Sequence, residues 1–282
     1  MFQRLSNSWE LVKASAAVLR ADKELVVFPI VSAIGTLIVT ATFALPLFLA
    51  GMFDRMYVDG KGFQPVGMLI AFLFYLVQYF VIFFANTALV GAAMIRLQGG
   101  DPTVSDGFQI ALRRVGPIFG YALIAATVGM VLRAIAERAG FIGRIVISLI
   151  GLAWNVATYL VVPILAVEDV GPVDAIKRST ALLKRTWGEQ IVGNAGLGAV
   201  FGLISFGVIL IGVPLIVLAT MSQSLALLVL AVVVLVLALL VLGIISSALS
   251  GIYTAAVYRY AATGEIGGSF SPELVRATFR SK

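Results

Sequence analysis

From Leu225 to Gly243 the chain runs nineteen residues without one polar side chain. At ~1.5 Å per residue a helix of that length crosses the ~30 Å hydrocarbon layer of a bilayer, and a helix satisfies its own backbone hydrogen bonds there. Five more apolar stretches accompany it, so the six occupy residues 25–53, 66–97, 116–135, 143–167, 190–219 and 223–258. This pattern predicts an all-α polytopic membrane bundle of about six transmembrane helices. The second and sixth exceed the ~20 residues a crossing needs, so they are expected to tilt or to project beyond the bilayer as helix.

Composition explains why lipid must be the solvent. Of 282 residues, 61% are hydrophobic and 12% charged, about half the charged share of a soluble domain. Too little polar surface exists to cover the apolar helix faces. One membrane domain over 1–282 is expected: an N-terminal interfacial helix (1–24), the transmembrane bundle (25–260) and a tail carrying a short helix (261–282). Arg4, Trp9, Glu10 and Lys13 open the chain with no cleavable signal pattern, so the first segment is read as retained.

Histidine and cysteine are absent, which removes imidazole bases, thiol nucleophiles, disulfides and zinc or haem ligation by those residues. Glu168 and Asp169 are adjacent and should diverge, while Asp174, behind Pro172, suits the start of a helix. Neither a phosphate loop, a dinucleotide fingerprint, a nucleophile elbow nor a metalloprotease pattern occurs. No catalytic, metal or cofactor-binding residue is expected, and the chain is read as a non-enzyme.

The net charge of +6 is spread over short segments flanking apolar spans, the pattern of membrane loops rather than of nucleic-acid binding. Fifteen Lys and Arg fall in the N-terminal arm, the second and fourth loops and the tail, against five on the opposite side. The positive-inside rule then places both termini in the cytoplasm. Arg133 is on the minority side, within reach of Glu137 one turn later.

A basic amphipathic segment precedes each odd-numbered span. Phe2, Leu5, Trp9, Val12, Ala16 and Leu19 make one apolar stripe; Val173, Ile176, Leu183 and Trp187 make another, with Lys177, Arg178, Lys184 and Arg185 to one side. The middle segment opens at Thr103 with Asp106 three residues on, a capping-box signature, and exposes Arg113 and Arg114. Lys13, Ser15 and Leu19 align with Lys177, Ser179 and Leu183, so three units of interfacial helix plus hairpin, in approximate threefold symmetry, stand against three unrelated interfacial helices. The six basic residues are candidate contacts for anionic lipids or for anions, lipid being the commoner partner of such helices.

No charged residue falls mid-span, which disfavours proton-coupled or voltage-driven machinery. Gln78, Asn86, Asn155, Asn194, Ser246 and Ser250 are candidates for a polar path, in a pool of neutral groups that also holds Thr87, Thr158, Tyr159, Ser205, Ser247 and Tyr253; interhelical hydrogen bonding is the competing use. Gly198 and Gly202 have the spacing of a helix-packing face. Tyr258, Arg259 and Tyr260 are read as an interfacial anchor, and Ser271, Pro272 and Glu273 as the start of a tail helix.

Ser8 to Ser15 (SWELVKAS), Lys23 to Ile34 (KELVVFPIVSAI), Val257 to Glu265 (VYRYAATGE) and Phe270 to Lys282 (FSPELVRATFRSK) resemble a bacterial family of uncharacterised membrane proteins, a domain of unknown function, over nearly the whole chain. The opening helix and first span are similar in outline to CysZ-like sulfate permeases, in which short helices and hairpins assemble into oligomers with an anion path. That likeness implies a homo-oligomer. Two functions follow: a passive or facilitative permease for a small, anionic solute, or a non-catalytic accessory or scaffold protein that binds lipids or membrane partners.

Overall fold

The computed structural model describes residues 2–51, 57–58, 62–63, 65–187 and 196–265. Helix α1 (Phe2–Ala21) leads through a 3-10 turn (Lys23–Val26) into α2 (Val27–Leu49). A two-residue antiparallel ladder, β1 (Tyr57–Val58) with β2 (Gly62–Phe63), pairs Tyr57 with Phe63 in the loop. Next come α3 (Pro65–Leu97), α4 (Val104–Arg113), α5 (Val115–Arg138), α6 (Phe141–Ala157), α7 (Val161–Val167), α8 (Pro172–Trp187), α9 (Gly196–Met221) and α10 (Leu225–Thr263).

Six helical segments are long and apolar enough to cross a bilayer: Lys23–Leu49, Pro65–Leu97, Val115–Arg138, Phe141–Val167, Val200–Met221 and Leu225–Thr263. The fold is thus an all-α polytopic membrane bundle. The 33 residues of α3 and 39 of α10 give lengths of about 50 and 58 Å, well beyond the hydrocarbon layer. An even number of crossings puts α1, α4, α8 and the end of α10 on one side, hereafter the interfacial-helix side.

The three units close on one another. In each, the interfacial helix packs on the second span of the preceding unit: α4 on α3, α8 on α7, and α1, across the whole length of the chain, on α10. The second spans α3, α7 and α10 are also mutual neighbours, at the centre of the bundle. Burial follows the register that aligns α1 with α8, since Leu11 and Ser15 are fully covered, as are Ala175 and Ser179. Gly107 and Ala111 keep the same spacing of four in α4, one turn from the register in which Arg113 and Arg114 would match Lys184 and Arg185.

Apolar burial drives little inside lipid, so close approach of backbones decides where spans meet. Ala88, Ala92 and Ala93 of α3 are buried, as are Ala248, Ala255 and Ala256 of α10, and a Cβ at Gly251 would overlap the Leu89 side chain. Gly107 brings α4 onto α3 so tightly that a Cβ would lie 2.8 Å from the Ala88 carbonyl. Gly198 and Gly202 do not act this way, since a Cβ at either would meet nothing within 4 Å. The close contact in that hairpin is Gly212 against Leu235, because α9 leans on α10 farther along and turns its 198–202 face away.

The covered core lies on the interfacial-helix side, around Leu25, Phe28, Leu89, Ile118, Leu160, Ile164 and Ile252. Toward the other side the spans are uncovered: α6 buries no residue, and Phe141 and Leu225 leave 80% and 74% of their surface free.

Candidate functional site: a helix break ringed by hydroxyls

The fourth span is two helices. Between α6 and α7 the chain runs Thr158, Tyr159, Leu160 out of α-helical register. Pro163 has no N–H, so the Tyr159 carbonyl lacks its donor four residues on, and a proline in the first turn suits a helix that restarts there. The Leu160 N–H, also stripped of its helical acceptor, donates to the buried Ser179 Oγ at 3.1 Å. Irregular backbone at membrane depth survives only where protein or a cavity satisfies it; here α8 does so.

Hydroxyls of three spans gather at this break. Thr158 Oγ1 donates to the Trp154 carbonyl at 2.8 Å, and Thr254 Oγ1 to the Ser250 carbonyl at 2.7 Å. Each threonine therefore keeps lone pairs to offer: the Tyr121 hydroxyl meets Thr158, and the Tyr159 hydroxyl meets Thr254 with Tyr253 beside it. Tyr121 and Tyr253 are buried, whereas the flank of the Tyr159 ring leaves 39% of the residue uncovered. Thr87, at the corresponding level of α3, also donates to the carbonyl four residues back, at 2.7 Å.

Aromatic groups extend the cluster along α3. Phe83 stacks on Tyr121 at 4.5 Å and on Tyr79 at 5.7 Å, and Tyr79 on Tyr75 at 6.2 Å. Arg133 ends this line, donating to the Tyr75 hydroxyl at 3.1 Å and to Glu137 at 3.0 Å. On the interfacial-helix side, the Tyr258 hydroxyl donates to Glu168 at 3.0 Å, and Arg178 reaches the same carboxylate at 3.3 Å. Tyr258 is buried and Arg259 donates to the Leu97 carbonyl, so these two residues tie α10 to its neighbours and do not form an anchor in the interface.

Of the residues expected to line a polar path, Gln78, Asn86, Ser246 and Ser250 are half-buried, and the Gln78 Oε1 is enclosed with no donor among the described residues. Asn155 points outward on α6, and Asn194 lies outside the described residues. Tyr121 and Thr254 escaped the sequence reading because each sits in an apolar run with nothing to distinguish it. The signal available was Thr87, Thr158 and Thr254 recurring once per unit.

Most of the basic candidates have partners. Lys177 pairs with Asp174 at 3.2 Å, Arg178 with Glu168, and Arg114 with Asp169. Arg185 donates to the Ala261 carbonyl at 3.0 Å, near the end of α10, where a cation opposes the negative end of the helix dipole. Arg113 and Lys184 are exposed and carry no ion pair among the described residues. Glu168 and Asp169 do diverge, one to Tyr258 and Arg178, the other to Arg114. Among the described residues no three acidic groups converge as a metal site.

A family model covers residues 65–268 and carries the description family of unknown function, DUF6159. The chain belongs to that family. The match takes in five of the six spans and the break with its hydroxyls, and DUF6159 assigns them no activity. No curated protein and no solved structure matches the chain, so the outline shared with sulfate permeases finds no support in a comparison.

Proposed function

We propose that this DUF6159 member is a non-catalytic, passive or facilitative permease for a small anionic solute, with both termini in the cytoplasm of a bacterial inner membrane. The supporting observation is the break at Thr158 to Leu160, inside the fourth candidate span, where uncharged hydroxyls of three spans gather. Discontinuous helices within the membrane serve solute sites in many transporters. The Tyr121 and Tyr159 O–H groups, each turned to a threonine here, can rotate to donate to an anion instead, without a charge that would hold it too tightly to leave.

A second reading, a lipid-binding scaffold, draws on the third hairpin. A cavity of about 520 Å³ between α9 and α10, lined by Ile211, Leu215, Leu230 and Val234 among others, is almost wholly apolar and has the character of an acyl-chain groove.

Proteoliposome flux decides between them. Uptake of chloride, sulfate or phosphate above protein-free vesicles, falling several-fold in Tyr159→Phe, is the expected result. No uptake of any of the three would leave the scaffold. Orientation is separable because the chain has no cysteine: an impermeant thiol reagent on cells should label Gly140→Cys and spare Lys184→Cys.

A further inference from the structure

We propose that Arg113 and Arg114 form a phosphate-binding site at the joint between α4 and α5. The site rests on reading the basic face as anion-binding and is independent of solute passage. In a continuous helix two consecutive side chains point ~100° apart. Here α4 stops at Arg113, Arg114 takes φ −107° and ψ 12°, and α5 starts at Val115. The joint puts both arginines on the wall of one cavity of about 270 Å³, completed by Ile110 and Ala166.

The local charge balance leaves room for an anion. Arg114 is held in place by Asp169, whose own side chain is 93% exposed and is therefore a partner that a ligand displaces at little cost. Arg113 has no pair. The other nearby acids are engaged elsewhere: Asp106 by Thr103, Glu168 by Arg178 and Tyr258. Two guanidinium groups facing one carboxylate keep a net positive charge on the cavity. Guanidinium is the side chain best matched to phosphate oxygens, through paired N–H donors in a fixed plane. A Cβ at Gly116, in the first turn of α5, would meet nothing within 4 Å, so no neighbouring group crowds that position beside the joint.

Apolar surface begins where the cavity ends. Val115, Phe119 and Leu123, one turn apart on α5, are exposed and descend along the span. A phosphate held by a lipid would have this track for its chain, whereas free phosphate would not use it.

The test uses the full chain in detergent and in nanodiscs. Binding of inorganic phosphate is read by calorimetry, and retention of phosphatidylglycerol against phosphatidylcholine by native mass spectrometry. Wild type should bind at least one of inorganic phosphate and phosphatidylglycerol, with Arg113→Gln weakening it about tenfold (about 1.4 kcal/mol) and Arg113→Gln with Arg114→Gln abolishing it. Arg20→Gln, an exposed cation on the same side, should leave binding unchanged. Binding of phosphate alone identifies a free anion, and selective retention of phosphatidylglycerol alone identifies a lipid. Arg113→Gln breaks no ion pair among the described residues, so it reports on the site even if the double variant misfolds. Equal binding by wild type and both variants, an equal loss in Arg20→Gln, or no binding of either probe by wild type would overturn the proposal. No flux of any of the three anions through wild type, with phosphate or phosphatidylglycerol binding intact, would locate a failure in the permease reading alone.

Discussion

The Ser179 hydroxyl accepts the N–H of Leu160, a hydrogen bond of 3.1 Å between the third interfacial helix and the broken fourth span. Its counterpart in the first unit is Ser15, equally buried and with no partner for its Oγ among the described residues. Matching the self-bonded Thr158 with Thr254 sets Leu160 opposite Ala256, inside the unbroken α10. The Ala256 amide is used within its own helix, so Ser15 has nothing to receive.

Ser179→Ala should therefore strip a buried amide of its acceptor and lower stability by about 1–3 kcal/mol. Ser15→Ala, which removes an unpaired hydroxyl, should be neutral or stabilising. Thermal unfolding of the two variants in the same detergent compares them directly; matching losses would mean the Leu160 bond contributes nothing particular.

Glycine substitutions should sort by backbone approach. Gly107→Ala forces α4 off the Ala88 carbonyl and the Phe28 ring, an overpacking cost of about 1–3 kcal/mol. Gly198→Ala meets open space and should leave the monomer's stability unchanged or raise it slightly, since alanine favours helix by roughly 1 kcal/mol. Melting temperatures in detergent check the ordering, and a larger loss at Gly198 would show that its face is covered by another molecule.

Asp22 supplies a pH dependence. Burial pushes its carboxyl above the usual carboxylate range, outweighing the attraction of Arg96 and the Glu24 backbone hydrogen bond, with Glu24 and Asp101 adding to the rise. A raised folded-state pKa makes the charged form the costlier one in the fold. The associated stability is present below the unfolded pKa of about 3.9 and is lost as pH rises through the folded value. Asp22→Asn should thus stabilise the protein at neutral pH, with the gain shrinking as pH falls toward 4. A loss at pH 7 would mean the Arg96 attraction dominates instead.

Much of this architecture is legible along the chain because it depends on local facts. Thr103 and Asp106 form the capping box their spacing announces, with the Thr103 N–H reaching Asp106 at 2.9 Å. Arg133 finds Glu137 one turn away. The hydroxyl cluster was not legible, because Tyr121 of α5, Thr158 and Tyr159 of the α6–α7 break and Thr254 of α10 meet only through the arrangement of whole helices. Asn155 carries a stronger polar signal than any of them and points outward.

By itself the sequence determined that lipid surrounds this chain, that six helices are long and apolar enough to cross it and, for five of them, roughly where each begins, since hydrocarbon thickness and the internal hydrogen bonding of a helix act on every segment separately. Only the tertiary structure decided which basic residues remain available and which polar groups meet. In a medium as apolar as the helices, partners are chosen by small-residue contacts such as Gly107 on Ala88 and by single hydrogen bonds such as Leu160 to Ser179, both set by the arrangement of whole helices.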